Sequence, residues 1–201
     1  MTAHDDELFA YSSCGARSAR ARACWPGARR AFQSGGQNPR RNVWRSGSQS
    51  SPSTRSTAGR WSARETAWPL AASAGLELQV AAEFDEIDFG EWMGASFDAL
   101  STDPRWNRWN ALRSATRPPG GEQMLEVQAR LVRKLRELHE SAPDGCIAVL
   151  SQGNVIKCLP AHYAGISLDH FHRIEIGPAS ITMITLSGEE PRILLVNETG
   201  S

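Results

Sequence analysis

The residues best placed to do chemistry lie at positions 149–157, VLSQGNVIK. The apolar run 146–150 reads as a short buried strand, 151–153 as a tight turn, and Asn154 onward as the first turn of a helix with an apolar face. A strand feeding a helix N-terminus gathers unpaired backbone N–H groups at the positive end of the helix dipole, which suits a phosphate. In an open parallel sheet, such strand C-terminal edges are where ligands bind. The side chain offered there is Gln152, which can donate a hydrogen bond but carries no charge and cannot act as a nucleophile. A second candidate is Glu86, in a loop that also carries Glu83, Asp85, Asp88 and Glu91. On spacing alone these are solvated loop carboxylates, whereas one drawn into a site would serve as a general acid. His162, His170 and His172 have no companion cysteine or carboxylate arrangement, so no metal site is expected. Cys14, Cys24, Cys146 and Cys158 lack metal-ligand spacing, and no disulfide framework is expected either.

The elements that must position these groups are legible from residue 63 onward. Residues 76–82 alternate as a short strand through Leu76, Leu78 and Val80. Residues 103–112, with Pro104 near the start, read as a short helix carrying Trp106 and Trp109 one turn apart, suited to packing or to a substrate-pocket lid. The clearest helix spans 122–140, where Met124, Val127, Leu131, Leu135 and Leu138 form one buried stripe. Arg130, Arg133, Lys134, Arg136 and Glu137 are expected mostly to face water. A helix over 155–163 follows the Gln152 turn, and residues 181–186 and 192–196 read as two strands joined by a Ser187-Gly188 turn.

The whole-chain averages conceal two unlike parts. Net charge is zero and 40% of the 201 residues are hydrophobic, an ordinary balance for one domain. Residues 1–62 nonetheless hold ten arginines, no lysine, and only Leu8 and Val43 as aliphatic residues, which leaves the remainder net acidic. Lacking helical or strand periodicity, 1–62 reads as disordered. An Arg-rich tail with Trp25, Trp44 and Trp61 could also pair phosphates and stack bases of a nucleic acid, although no basic helix or RNA-binding motif accompanies it. No run approaches the roughly 18 apolar residues of a membrane span, and the N-terminus has no apolar signal core. The cytoplasm is the expected location.

Several ordered motifs from about 63 to 199 resemble the histidine phosphatase (phosphoglycerate mutase-like) superfamily. Arg64-Glu65-Thr66-Ala67 is similar to the family's Arg-x-x-Glu/Gln-Thr-Ala helix, with Ser62 at the phosphate-binding Arg position. The segment from Phe84 to Gly94 resembles its Leu-x-Glu-x-x-x-Gly-x-Trp-x-Gly loop, and Pro118-Pro119-Gly120-Gly121-Glu122 its Pro-Gly-Gly-Glu-Ser loop. Ser151-Gln152-Gly153-Asn154-Val155-Ile156-Lys157 resembles Ser-His-Gly-Asp/Gly-Val-Ile-Arg/Lys, and Asn197-Glu198-Thr199 the Asn-Asp/Glu-Thr ending. The resemblance implies an α/β fold, a three-layer α/β/α sandwich with a mainly parallel sheet. It implies phosphomonoester hydrolysis or phosphoryl transfer through a phosphohistidine, with no metal or cofactor. A first His would attack phosphorus, while arginines and a second His neutralise its oxygens. Glu86 would match the acid that protonates the leaving oxygen, Gln152 the second His, and the Gly153 backbone a phosphate contact.

Against those roles this chain departs at the first Arg-His-Gly, which has no match in residues 1–62, at Ser62 and at Gln152. A shifted reading frame accounts for part of this. Trp25-Pro26-Gly27-Ala28 is what Leu-Ala-Gly-Arg codons (CTG GCC GGG CGC) give when read from the second base, and a Leu-Ala-Gly-Arg-x-Pro-Gly segment belongs there in the family. Ala16 has no His codon as its out-of-frame source, so the recovered frame also lacks the nucleophile. The expectation is therefore a frameshifted or disordered segment at 1–62 and a histidine-phosphatase-like domain at 63–201, missing its first strand. Catalysis through phosphohistidine is not expected. The partner implied is a small phosphorylated molecule, bound with or without turnover; a pseudophosphatase binding a phosphorylated ligand or a protein is the alternative, and a nucleic-acid tail a third. Neither the substrate nor the oligomeric state is encoded in a readable spacing.

Overall fold

The structure, a computed structural model, describes residues 7–12, 41–46, 77–143, 146–178, 180–186 and 190–199. Among the described residues six strands form one open sheet: β1 (Glu7–Ser12), β2 (Arg41–Ser46), β3 (Glu77–Ala81), β4 (Cys146–Ser151), β5 (Ile181–Thr185) and β6 (Arg192–Glu198), in the order β3-β2-β4-β1-β5-β6. The pairs β2–β3, β2–β4 and β1–β5 are parallel, whereas β1–β4 and β5–β6 are antiparallel. Because β2 runs parallel to both β3 and β4, Ala81 and Ser151 end their strands on one edge of the sheet. The chain leaving each strand therefore starts at the same edge, and these two exits build the site.

The position left without a strand in the sequence reading is filled. β1 lies between β4 and β5, pairing Leu8 with Leu150 and Phe9 with Thr182. Its Leu8-Phe9-Ala10-Tyr11 run carries aromatic side chains that favour extended backbone, a signal too short to stand out within an arginine-rich segment. Apart from β1 and β2, the expectations for residues 1–62 fall outside the described residues, as do the Arg64 helix and the Ser187-Gly188 turn.

Helices α1 (Phe97–Ser101), α2 (Pro104–Ala111), α3 (Met124–Ser141) and α4 (Gly153–Tyr163) complete the described elements, with short 3-10 turns at Ala82–Phe84, Gly90–Trp92 and Leu168–Arg173. α2 starts at Pro104, whose missing N–H is no loss in a first turn, and the Asp103 carboxylate accepts the Arg105 N–H at 2.8 Å as its cap. α3 buries the expected stripe, Met124, Val127, Leu131, Leu135 and Leu138, with Val132 added. Its N–H at Gln123 is taken by the Glu126 carboxylate at 2.9 Å. α3 and α4 pack on each other, and α4 lies against β1 and β6. The core beneath them includes Phe84, Trp109, Leu131, Ile156 and Phe171, all buried. No helix among the described residues is long and apolar enough to cross a membrane.

One expectation about α3 is corrected. Arg130 and Lys134 do not face water: their side chains are 15% and 18% exposed. The loop after β3 folds over that part of the helix, and Arg130 becomes its anchor.

Candidate active site

β3 runs into the Ala82–Phe84 turn and then into the loop carrying Glu86. Arg130 holds this loop from below. Its guanidinium donates to the carbonyls of Glu83, Asp85 (2.8 Å) and Glu86 (3.5 Å), and to both carboxylate oxygens of Glu122 at 2.8 and 3.0 Å. A fork of fixed donors is suited to gathering several acceptors, and it fixes the backbone path on which Glu86 stands.

A second contact fixes the far side of the loop. The Glu91 N–H donates to the Pro119 carbonyl at 2.9 Å, and the Glu122 N–H to the Asp88 carbonyl at 2.7 Å. The two loops approach so closely that a β-carbon at Gly90 would lie 2.2 Å from the Pro119 oxygen, and one at Gly121 would lie 2.3 Å from the Asp88 oxygen. Gly90 also has φ of +55°, a backbone region that other residues enter at a cost. Glycine at these two places is what lets the loops touch.

Glu86 itself is half-buried, and its Oε1 accepts the Ile87 N–H at 3.0 Å. Burial pushes the carboxyl up to about 7, against the opposing pull of the Ile87 N–H, Arg130, the Asn154 side chain and Arg113. A carboxyl that titrates near neutrality can hold a proton and release it at pH 7, which is what a general acid needs.

β4 ends at Ser151, and Gln152 occupies the N-cap of α4 with extended backbone, φ −85° and ψ 156°. The buried Ser151 hydroxyl is a donor shared by two acceptors, the Phe84 carbonyl at 2.7 Å and the Gln152 Oε1 at 3.4 Å. It therefore ties the end of β4 to the segment that leads into Glu86. Asn154, in the first turn of α4, bonds to Glu86 through its side chain. The structure thus brings Glu86, Gln152 and the Gly153–Asn154 turn together. Gln152 makes no side-chain cap to α4.

Three contributors escaped the sequence reading. From sequence, Arg130 reads as a solvated charge, Asn154 as an ordinary first-turn residue, and Arg113 lies just past the helix expected over 103–112. The Arg113 guanidinium lies 4.0 Å from the centroid of Trp109 and 4.4 Å from that of Phe171, a cation sandwiched by two rings. Its backbone is set by the next residue, since Asp169 accepts both the N–H (2.8 Å) and the hydroxyl (2.9 Å) of Ser114. Arg113 and Asn154, with Phe89, Trp106, Trp109 and Asn110, line a cavity of 390 Å³. Trp106 and Trp109, expected either to pack or to cover a pocket, pack: Trp109 is buried, Trp106 stands edge-on to Trp92 with centroids 5.3 Å apart, and both lie in the cavity wall.

Among the described residues, the other nucleophile types lie on other elements or are disarmed. His139 and His162 lie in the last turns of α3 and α4, and His170 and His172 in the Leu168–Arg173 turn. Cys158 lies close enough to Glu86 to feel its charge, but burial first and that charge second push its thiol up to about 12, so it holds its proton at neutral pH. Among the described residues no three His, Cys, Asp or Glu side chains gather into a metal-binding group.

Similarity to known proteins runs the same way as the geometry. The bifunctional protein Rv2228c of Mycobacterium tuberculosis (strain ATCC 25618 / H37Rv) is 27% identical over 140 residues, 69% of this chain. The chain spans 38% of that relative's length. Among solved structures, Bacillus stearothermophilus YhfR superposes with a TM-score of 0.68 at 18% identity, covering 96% of this chain and 98% of its own. Mycobacterial glucosyl-3-phosphoglycerate phosphatase Rv2419c, in complex with inorganic phosphate, gives 0.65 at 20% identity, with 97% and 98% covered. A phosphoserine phosphatase from Entamoeba histolytica, bound to phosphoserine, gives 0.66 at 14% identity over 96% and 97%. These likenesses show a phosphoglycerate mutase-like fold. The profile of the histidine phosphatase superfamily (branch 1) matches residues 50–199, three-quarters of the sequence and all of the loops that build the site, and the chain accordingly belongs to the histidine phosphatase superfamily.

Proposed function

We propose that this chain binds a phosphomonoester at the Glu86–Gln152 site and does not turn it over through a phosphohistidine. The observation that carries the reading is Gln152 at the N-cap of α4, between Ser151 and Gly153, where the family resemblance places the second His. An amide there can donate to a phosphate oxygen, but it brings no positive charge and no nucleophile. The proton donor is retained: Glu86 titrates near neutrality and its loop is clamped by Arg130. The helix end is retained too, with the first-turn N–H groups of α4 left uncapped by Gln152. What is missing is the first His and its neighbouring arginine, for which residues 1–62 offer no match. The family match starts at residue 50, after β1 and β2, which supports reading the residues before it as outside the family frame; residues 50–62 fall within the match. Phosphate and phosphoserine in the neighbours' structures support a small phosphorylated molecule as ligand.

The test is hydrolysis of p-nitrophenyl phosphate by three proteins: the chain as it stands, Gln152→His, and Gln152→His with an N-terminal segment re-encoded to supply Arg-His-Gly. The expected result is activity in the third alone. Turnover by the unaltered chain that disappears in Glu86→Ala would overturn the reading and require another nucleophile.

A further inference from the structure

Arg113 is placed in a way that a purely structural role does not explain. Its guanidinium is inserted between Trp109 and Phe171, and among the described residues one nitrogen is used, Nη2, which donates to the Asn110 Oδ1 at 2.7 Å. Nε and Nη1 are buried without a hydrogen-bond partner among the described residues, and no carboxylate there pairs with the group. Each buried donor left unpaired costs roughly 1–3 kcal/mol, and native folds leave few of them without a water or ligand in prospect. Burial lowers the side chain only to about 10, so at neutral pH the cation persists.

The surroundings say what kind of group would complete it. Arg113 shares the 390 Å³ cavity with Asn154, whose side chain bonds to Glu86, so the cation lines the space that leads to the acid. Arg113 and Glu86 each feel the other's charge. The rest of the wall is aromatic. Trp106 and Trp109 lie with centroids 5.3 Å apart, and Phe97 stands edge-on to Trp106 at the rim, 60% exposed. A cavity of this size with a few convergent polar groups and flat apolar walls is the common form of a small-molecule site. A planar fork beside aromatic faces suits an anion attached to a flat ring.

Building on the phosphate-binding reading, we propose that the ligand is a phosphomonoester of an aromatic or similarly flat, apolar alcohol. Arg113, backed by Trp109, binds its phosphate from the cavity side, and the half-buried Trp106 holds its ring. Arg113 here takes up part of the charge neutralisation for which Gln152 and Ser62 carry no cation.

The experiment is calorimetric titration of the full chain with phenyl phosphate, glycerol 1-phosphate and inorganic phosphate. Phenyl phosphate is expected to bind at least tenfold more tightly than the other two. Trp106→Ala should reduce it to their level, and Arg113→Ala should weaken all three at least tenfold. Arg113→Lys, which keeps the charge and the ring contact, should retain an intermediate affinity and guards against loss of fold, checked by near-ultraviolet circular dichroism. Equal affinity for the three probes would overturn this inference and leave the phosphate-binding reading intact, as would full binding by Arg113→Ala. If none of the three binds saturably, both readings fall together.

Discussion

Two segments meet at this site and are held in opposite ways. The Glu86 loop is fixed by side chains and close contacts: the Arg130 fork on its carbonyls, and glycines that let it touch the loop around residue 120. The β4–α4 junction is fixed by its backbone and by apolar burial on both flanks, with Val149, Leu150, Val155 and Ile156 buried and β4 paired on both edges. Its polar side chain, Gln152, supports neither the helix cap nor the core. A loop built from side chains loses its shape when one changes, whereas a junction built from backbone can change its chemistry and stay folded. This is how a chain can keep the fold of its superfamily while carrying Gln where the resemblance places His.

The contrast is broken most severely at Arg130. Replacing it by Ala strands the Glu122 carboxylate and three half-buried loop carbonyls, a loss of about 3–5 kcal/mol. The midpoint of urea unfolding should fall accordingly, and Arg130→Lys, which cannot reach all these acceptors at once, should recover only part of the loss. A wild-type midpoint in Arg130→Ala would mean that the loop is not held from below.

Gly121→Ala comes next. The added carbon meets the Asp88 oxygen at 2.3 Å, and backbone cannot give way as a flexible side chain would. The expected cost is about 2–3 kcal/mol, read as a lowered thermal midpoint. Gly121 has no positive φ to complicate the result, so a loss there isolates the close approach of the two loops.

Glu86 gives a prediction that depends on pH. Its folded carboxyl titrates at about 7, against 4.5 for the ordinary group. Between those values the folded state holds more protons than the unfolded one, so stability falls as pH rises through the window and the penalty is complete above pH 7. At that end it amounts to up to about 3 kcal/mol. Glu86→Gln should therefore be more stable than the parent at pH 8 and indistinguishable from it at pH 4, with a flatter profile between. A parallel shift at all pH values would show that the carboxyl is not desolvated.

How much of this was legible beforehand follows the same division. The junction was readable because periodicity and turn chemistry report local backbone: the apolar run before Ser151 and the switch to helical spacing after Asn154 place it within a residue of the observed β4 and α4. The buried stripe of α3 was readable for the same reason. Glu86 emerged from a motif resemblance, since its spacing among five acids carried no distinction. Arg130 was misread because helical spacing gives the direction a side chain points, and does not show that a loop 44 to 47 residues earlier folds over that direction. Arg113 follows a short helix in an aperiodic stretch, and its meaning depends on Phe171 and Asp169, which sequence places far away. Side-chain clamps between distant segments are three-dimensional facts, while backbone junctions are largely local ones.

The smallest expected effect is the sharpest test of that division. Gln152→His changes the one junction side chain that the resemblance ties to chemistry, yet the Ser151 hydroxyl keeps its 2.7 Å bond to the Phe84 carbonyl, the Ile156 N–H keeps the residue-152 carbonyl at 3.0 Å, and no cap hydrogen bond is lost. An imidazole at a half-buried helix N-terminus is disfavoured only in its protonated form, because the positive end of the helix dipole opposes a second positive charge. Stability should thus change by less than about 1 kcal/mol at pH 8, and the variant should lose slightly more than the parent as pH is lowered toward 6, where imidazole gains its proton. Phosphate added at pH 6 should reverse that loss, since an anion at the helix end favours the protonated ring. A large loss of stability at pH 8 would mean that Gln152 supports the junction after all, and that the substitution of Gln for His there belongs to the packing of the site as well as to its chemistry.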